Sequence, residues 1–163
     1  MRSRGKVLSR APKQSAGLLV YRQCEGRLEV FLVHPGGPFW AKRDDGAWSI
    51  PKGEFGDNED PLSAARREFA EETAIALAGD FAPLAPIRQK GGKWVYAWMV
   101  AADFDAAACR SNTFRLEWPP RSGVTREFPE VDRAQWFPIA TARRKILGSQ
   151  LALLDELERR LNG

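Results

Sequence analysis

The sequence predicts an α/β fold in which a mixed β-sheet is sandwiched between α-helices. Apolar stretches of strand length lie both before and after one sharply bounded central helix, and leucines at helical spacing occupy the end of the chain. The chain has 163 residues, of which 44% are hydrophobic and 28% charged, a composition typical of one ordinary globular domain. Because no apolar run approaches the roughly 18–20 residues of a membrane span, we expect a cytoplasmic protein that does not bind membranes.

The net charge of +4 comes from the start of the chain. Five basic residues and no acidic ones fall within residues 1–13, so 20 of the 25 basic residues remain for the rest, against 21 acidic. We therefore predict that residues 1–14 form a basic disordered tail and residues 15–163 a single domain. We interpret this tail as a segment that aids solubility; the alternative is that it contacts RNA or another polyanion.

The first elements are predicted to be two strands, residues 15–22 and 28–34, joined by a turn into a hairpin. His34 ends the second strand and is interpreted as a hydrogen-bonded structural residue, not as a catalyst. A loop rich in Gly and Pro follows and carries Phe39 and Trp40, which can either stack on a base or cap the core. With Lys42, these two aromatic residues are candidates for substrate binding.

A short strand over residues 48–51 is expected to deliver Lys52 and Gly53 to the region before the central helix. Asp60 is a plausible N-cap and Pro61 occupies the first helical position, where proline is best tolerated. These signals predict a helix that runs to about Thr73.

Three carboxylates share one side of this helix, since at about 100° per residue Glu68, Glu71 and Glu72 fall within an arc of roughly 100°. Like charges 4 Å apart repel by about 1 kcal/mol in water and more where they are desolvated, so a cation is expected between them. Carboxylates on a rigid helix suit hard divalent ions. The competing interpretation is a solvated helix face on which Arg66 and Arg67 pair with the glutamates.

The residues around the cluster decide between these interpretations. Gly53, then five residues, Glu59, then seven residues, and then the run from Arg67 to Ile75 (REFAEETAI) resemble the Nudix box, whose pattern is GX5EX7REUXEEXGU. Eight of the nine specified positions match, with Phe69 as the apolar residue U. Ala74 stands where the family has the glycine that normally ends the helix, so the resemblance leaves the helix terminus in question.

Resemblance to the Nudix hydrolases implies a mixed sheet between helices and metal-dependent hydrolysis of a phosphoanhydride in a nucleoside diphosphate linked to another group. Mg²⁺ or Mn²⁺ is the implied cofactor and a small nucleotide, such as an NTP or a dinucleoside polyphosphate, the implied partner. Glu71, Glu72 and the Gly53 carbonyl are the implied metal ligands, and Glu68 is either a further ligand or the general base. Arg67 is expected to orient Glu71 or Glu59.

The sequence indicates the substrate less specifically than it indicates the metal ligands. Pro51, Lys52 and Gly53 resemble the branch that hydrolyses dinucleoside polyphosphates, in which Lys52 would be an extra cation for a longer phosphate chain. Lys90 and Lys93 flank a predicted hairpin turn, where they either reach phosphates or merely solvate the turn.

Beyond the box we predict a long strand over residues 94–104, an edge strand over residues 113–118 and a strand of the form Asp-x-Ala-x-Trp-Phe starting at Asp132. In chains that resemble this one, a glutamate shortly before that last strand often joins the metal site. Glu130 is the first choice for this acid, Glu127 the second and Glu117 the third; a salt-bridged surface role is the alternative.

The chain is expected to end in two helices, residues 139–147 and 149–161, interrupted at Gly148. Their regularly spaced leucines indicate core packing. Cys24 and Cys109 have no metal-like spacing and are predicted to be free thiols.

Two other functions remain open. One is an RNA 5′ pyrophosphohydrolase, suggested by the basic tail and the loop aromatics. The other is a non-catalytic nucleotide-binding Nudix module, which the retention of all the box carboxylates disfavours.

Overall fold

The computed structural model describes residues 13–163, so most of the predicted basic tail lies outside the described part of the chain. The first strand begins at Gln14, one residue before the predicted domain boundary. The strands are β1 (Gln14–Cys24), β2 (Arg27–Pro35), β3 (Lys52–Glu54), β4 (Ala82–Pro83), β5 (Ile87–Arg88), β6 (Trp94–Ala101), β7 (Thr113–Glu117), β8 (Thr125–Pro129) and β9 (Val131–Pro138). The α-helices are α1 (Pro61–Thr73), α2 (Ile139–Lys145) and α3 (Leu151–Asn162), and short 3-10 turns cover Lys90–Gly92, Ala106–Ala108 and Gly148–Gln150.

Seven of the strands form one mixed sheet. Its central path runs β4-β6-β1-β2-β9, while β3 also pairs with β1 and β5 with β6. β1 is parallel to β6 from Gln14 to Tyr21 and antiparallel to β2 and β3. The predicted first hairpin is therefore confirmed, and β1 is the strand against which the start of the box is aligned.

Helices cover both faces of this sheet. Ala64, Ala65 and Phe69 of α1 are fully buried with Leu18 and Phe31 on one face. On the other face, buried residues of α2 and α3 pack against Leu19, Val30 and Trp48; they are Ala142, Leu153, Leu154 and Leu157. The predicted mixed sheet between helices is confirmed, and the leucines of α3 do pack in the core.

Three strand predictions need correction. The strand predicted at residues 94–104 ends at Ala101. Trp48 and Ser49 make only isolated bridges, to Ile146 and Val33, and the strand predicted at residues 48–51 instead begins at Lys52. The apolar pattern there reflects burial, since Trp48 and Ile50 are at most 2% exposed. The strand predicted at residues 113–118 exists as β7, but it pairs with β8 in a separate two-stranded sheet.

No helix within residues 13–163 is both long enough and apolar enough to cross a membrane. Cys24 and Cys109 are free thiols, as predicted.

Candidate functional site

Helix α1 begins and ends where local signals predict. The Asp60 carboxylate accepts a hydrogen bond from the Ser63 amide at 3.0 Å, and Pro61 takes the first helical position. Ala74 adopts the left-handed conformation, with φ 65° and ψ 21°, and its amide donates to the Ala70 carbonyl at 2.8 Å. The helix therefore ends at Thr73 without the glycine that usually occupies the next position.

Gly53 lies directly against a carboxylate of α1. A Cβ atom built on Gly53 would lie 2.0 Å from both Cδ and Oε1 of Glu68, a distance that no side chain tolerates. The strand pairing Ala16↔Gly53 turns this position toward the α1 face of the sheet. The absent side chain of Gly53 thus makes room for the Glu68 carboxylate, a steric role that was not predicted from the sequence.

Arg67 holds three carboxylates. Its Nε and Nη2 atoms each donate to Glu59 at 2.9 Å, while Nη1 donates to Glu68 at 2.8 Å and to Glu71 at 3.4 Å. We expected Arg67 to orient Glu71 or Glu59, and the structure adds Glu68. The bidentate contact with Glu59 raises the pKa of the arginine, so its charge is permanent.

The competing interpretation, in which both arginines pair with glutamates, fits only Arg67. Arg66 instead donates to the Leu77 carbonyl at 3.2 Å and lies over the Phe81 ring, 4.9 Å from its centroid. Within the described chain Glu72 forms no salt bridge with any basic residue.

Glu72 is the most perturbed carboxyl group of the cluster. Burial raises its pKa to about 8, the charges of Glu68 and Glu130 act in the same direction, and Lys52 opposes them. Burial also raises the pKa of Glu68, although Arg67 offsets part of that effect. Glu130, which lies just before β9, is therefore close enough to α1 for its charge to raise the pKa of both Glu68 and Glu72.

A cleft of about 240 Å³ opens beside Glu72. Four predicted site residues line it: Trp40, Lys52, Glu72 and Glu130. Burial is the main cause of a lowered pKa at Lys52, and the charge of Lys93 adds to it. Among the described residues Lys52 has no carboxylate within salt-bridge distance, so its charge is available to a bound anion.

Several predicted residues lie elsewhere. Phe39 is 65% exposed and packs edge-to-face against Trp118 with ring centroids 5.3 Å apart, while Lys42 is exposed and does not line the cleft. Glu127 accepts a hydrogen bond from the Thr113 hydroxyl at 2.8 Å, and Glu117 accepts one from the Gly123 amide at 2.7 Å. Of the three distal acids considered, Glu130 is the one that lines the cleft.

A second cavity, of about 360 Å³, reaches Glu72 from another side. Its other walls come from the segment after β6 and from the start of β9, and they include Cys109, Arg110, Ser111 and Asp132. Glu72 thus lines two cavities.

His34 anchors the loop that carries Trp40. The imidazole is fully buried, with Nδ1 2.7 Å from Asp132 Oδ1 and Nε2 2.7 Å from the Arg43 carbonyl oxygen. Both neighbours are acceptors, so both bonds form only when the ring and the carboxyl group together hold two protons. The structural role predicted for His34 fits this arrangement, but sequence reasoning missed Asp132 and Arg43 as its partners.

The donor set matches a hard divalent cation. In this conformation no three Asp, Glu, His or Cys side chains among residues 13–163 converge on a single ion position, since Glu68 and Glu71 turn toward Arg67. The side chains of Glu68, Glu72 and Glu130 nevertheless offer carboxylate oxygens; the charge of Glu130 raises the pKa of both Glu68 and Glu72, and the charge of Glu68 raises that of Glu72. A bound cation would relieve that repulsion.

Comparison with protein families gives a match to the NUDIX domain over residues 11–156. In curated sequences, 67 residues are 34% identical to the RNA pyrophosphohydrolase of Bartonella henselae, covering 39% of this chain and 36% of that protein. A stretch of 33 residues is 54% identical to Nudix hydrolase 25 of Arabidopsis thaliana, covering 20% of this chain and 19% of that one. The chain thus aligns with about a third or less of these relatives.

Solved structures match over almost the entire chain. The NUDIX domain of Shewanella oneidensis NrtR, crystallised with ADP ribose, superposes with a TM-score of 0.67 at 18% identity, covering 98% of this chain and 99% of that one. The Ap4A hydrolase of C. elegans superposes with a TM-score of 0.65 at 22% identity, covering 91% of this chain and 98% of that one. At such identities the likeness concerns the fold.

Proposed function

The chain belongs to the Nudix hydrolase family, and we propose that it hydrolyses a phosphoanhydride bond in a nucleoside diphosphate linked to a further group, such as an NTP or a dinucleoside polyphosphate. The observation that carries this proposal is the position of Glu72, a buried carboxyl group with a pKa raised to about 8 that lines a cleft with Lys52 and Glu130. A cluster of this kind is costly for stability alone, which supports a functional reason for it.

Mg²⁺ or Mn²⁺ is the proposed cofactor. The Gly53 carbonyl and the carboxylates of Glu68, Glu71, Glu72 and Glu130 are the groups that would hold it. When bound, such an ion neutralises charge on phosphate oxygens and makes a water molecule more acidic.

The other roles fall to side chains of this protein. We assign Glu68 as a ligand or as the general base that takes a proton from the attacking water, because its carboxylate rests in the space left by Gly53. Arg67 is the positioning residue, since it joins Glu59, Glu68 and Glu71. Lys52 would face the substrate phosphates and Trp40 the nucleoside. Phe39 and Lys42 stay candidate substrate contacts outside the cleft.

Phosphate release from a panel of nucleotides with Mg²⁺ tests the proposal. The panel contains nucleoside triphosphates, ADP-ribose and dinucleoside polyphosphates. Glu72→Gln removes one charge from the ligand set while keeping the shape of the side chain, so turnover should fall by about 10²–10⁴-fold. Glu25→Gln, at an exposed turn, is the matched control and should retain activity. Full turnover by Glu72→Gln, or turnover that persists in EDTA, would contradict the assignment.

A second candidate is removal of the 5′ pyrophosphate of RNA. It is favoured by the 34% identity over 67 residues with an RNA pyrophosphohydrolase. Adding a 5′-triphosphorylated oligoribonucleotide to the panel separates the two, since an RNA enzyme should prefer it to the free triphosphate. Nucleotide binding without any turnover would instead favour a non-catalytic module.

A further inference from the structure

The cleft beside Glu72 adjoins another cavity at Leu147, a residue that lines both. At about 240 Å³ the cleft is smaller than the roughly 300–1,000 Å³ of most ligand sites. Leu147 also lines a third cavity, of about 480 Å³, whose other walls are Gln89, Lys90, Gly148 and Ser149. We call this third cavity the Lys90 extension. A ligand that occupied both the cleft and the extension would fill a volume within the usual range.

The wall between the two cavities is well supported. Gln150 is fully buried; its Oε1 accepts from the Ile50 amide at 3.0 Å and its Nε2 donates to Ser49 Oγ at 3.0 Å. The Leu147 amide donates to the Trp48 carbonyl at 2.8 Å. These bonds tie the turn after α2 to the floor of the cleft, so both cavities share a preformed backbone.

The turn between β5 and β6 forms the far side of the extension. The Gln89 amide donates to the Lys93 carbonyl at 2.8 Å and closes the turn. The Gln89 side chain lies 3.5 Å from Ser149 Oγ, which brings the turn against the residues after α2. Lys90 is exposed at the edge of the cavity.

The charged residues that line the cleft include carboxylates, whereas the charged residue that lines the Lys90 extension is a lysine. Glu72 and Glu130 lie at one end of the cleft, with Lys52 on its wall. Lys93 lies close enough to Lys52 to disfavour its charge, and its Nζ is 3.2 Å from Glu54. Lys90 follows in the extension. A ligand that places one phosphate group at the acidic end, across a cation, meets amino groups as it extends away.

We propose that the Lys90 extension binds the phosphates of an elongated nucleotide that lie beyond the bond to be cut. The inference deepens the proposed function and rests on it: it selects polyphosphate chains longer than a triphosphate, as in dinucleoside polyphosphates. Neither the family match nor the box residues assign any role to Lys90, Ser149 or Gln89.

A binding experiment tests the extension independently of turnover. Adenosine 5′-tetraphosphate and AMP are titrated calorimetrically against the wild type, Lys90→Gln and Lys90→Gln/Lys93→Gln. The double variant should weaken tetraphosphate binding by about 5- to 30-fold, as expected for the loss of two partly exposed ionic contacts, and leave AMP binding unchanged. Arg27→Gln is the charge-matched control for Lys90→Gln, because Arg27 is exposed at the start of β2 and pairs with Cys24, at the opposite end of β1 from the residue that pairs with Lys52. Melting curves check that each variant folds.

The same variants are then assayed for kcat/KM. Values for dinucleoside tetraphosphate should fall while those for a nucleoside triphosphate hold. Equal losses on short and long ligands, or no loss of tetraphosphate binding, would overturn the inference, as would a loss confined to triphosphorylated RNA. An enzyme inactive on every substrate would refute the proposed function, while the calorimetric result would still decide whether the extension binds polyphosphate.

Discussion

At the scale of single residues, the site depends on carboxyl groups held where their charge is disfavoured. Glu72 ionises near 4.5 as a free side chain and near 8 in the folded protein. Between these values the unfolded chain loses a proton that the folded chain keeps, so rising pH favours unfolding throughout this window. Above about pH 8 both states are ionised and the penalty stays constant.

Glu72→Gln should therefore raise the melting temperature in metal-free buffer. The gain over the wild type should be negligible near pH 4.5 and should grow steadily up to pH 8, by roughly 2–4 °C for each kcal/mol of penalty that the substitution removes. Thermal scans in EDTA across this range measure it. Added Mg²⁺ should close the gap by stabilising only the wild type. A variant that melts lower than the wild type at pH 8 would mean that Glu72 is a structural acid.

Gly53→Ala tests the contact with Glu68. The new methyl group would lie 2.0 Å from the carboxylate, so Glu68 must leave its position. Because the carboxylate is the movable end of a flexible side chain, we expect little change in the free energy of unfolding but a loss of turnover. Denaturant titration and the nucleotide assay measure the two effects. Gly56→Ala is the control, since nothing lies within 4 Å of its added Cβ; equal behaviour of the two variants would refute the steric role.

At the scale of elements, helix α1 ends at Thr73 as predicted, although the residue that follows it is Ala74 and not the usual glycine. Ala74 holds φ at 65°, a conformation that costs a residue with a Cβ about 1–2 kcal/mol. Contacts of the neighbouring Thr73 offset this conformational cost. Thr73 is buried, and its hydroxyl donates to the Phe69 carbonyl at 2.7 Å and accepts from the Ile75 amide at 3.1 Å. These bonds hold the chain on either side of Ala74.

Ala74→Gly should stabilise the protein. Glycine adopts the left-handed conformation freely, and after its own entropy cost the net gain is about 0.5–1 kcal/mol. Urea denaturation measures the gain, with Ala76→Gly as the control in an exposed segment where no positive φ is required. A destabilised Ala74→Gly variant would show that the terminus is not strained.

At the scale of the whole molecule, the net positive charge comes from the first 13 residues, while the rest of the chain is nearly neutral. Deleting residues 1–12 removes Arg2, Arg4, Lys6 and Arg10. It keeps Lys13, whose carbonyl accepts from the Trp94 amide at 3.1 Å. Mononucleotide turnover should be unchanged, while RNA affinity should fall and the slope of its logarithm against log salt concentration should shrink by up to about 3. Filter binding at several salt concentrations measures this; an unchanged slope would exclude the tail from RNA contact.

The sequence predicted the elements whose signals are local. The first hairpin, both ends of α1 and the strand that begins near Asp132 follow from turn residues, capping and alternation, which act within a few positions. It also placed the box carboxylates on one helix face. The signals failed where burial and strand pairing produce the same apolar pattern, as at Trp48 and Ile50.

By itself, then, the sequence determined the fold class, the central helix and the identity of the carboxylates, because these depend on spacing along the chain. Only the tertiary structure decided that Glu130 lines the cleft with Glu72 while Glu127 and Glu117 do not, that Arg67 contacts three acids, and that a cavity lined by Lys90 adjoins the cleft at Leu147. Those facts join residues far apart in sequence, and the pairing of strands around β1 sets their distances.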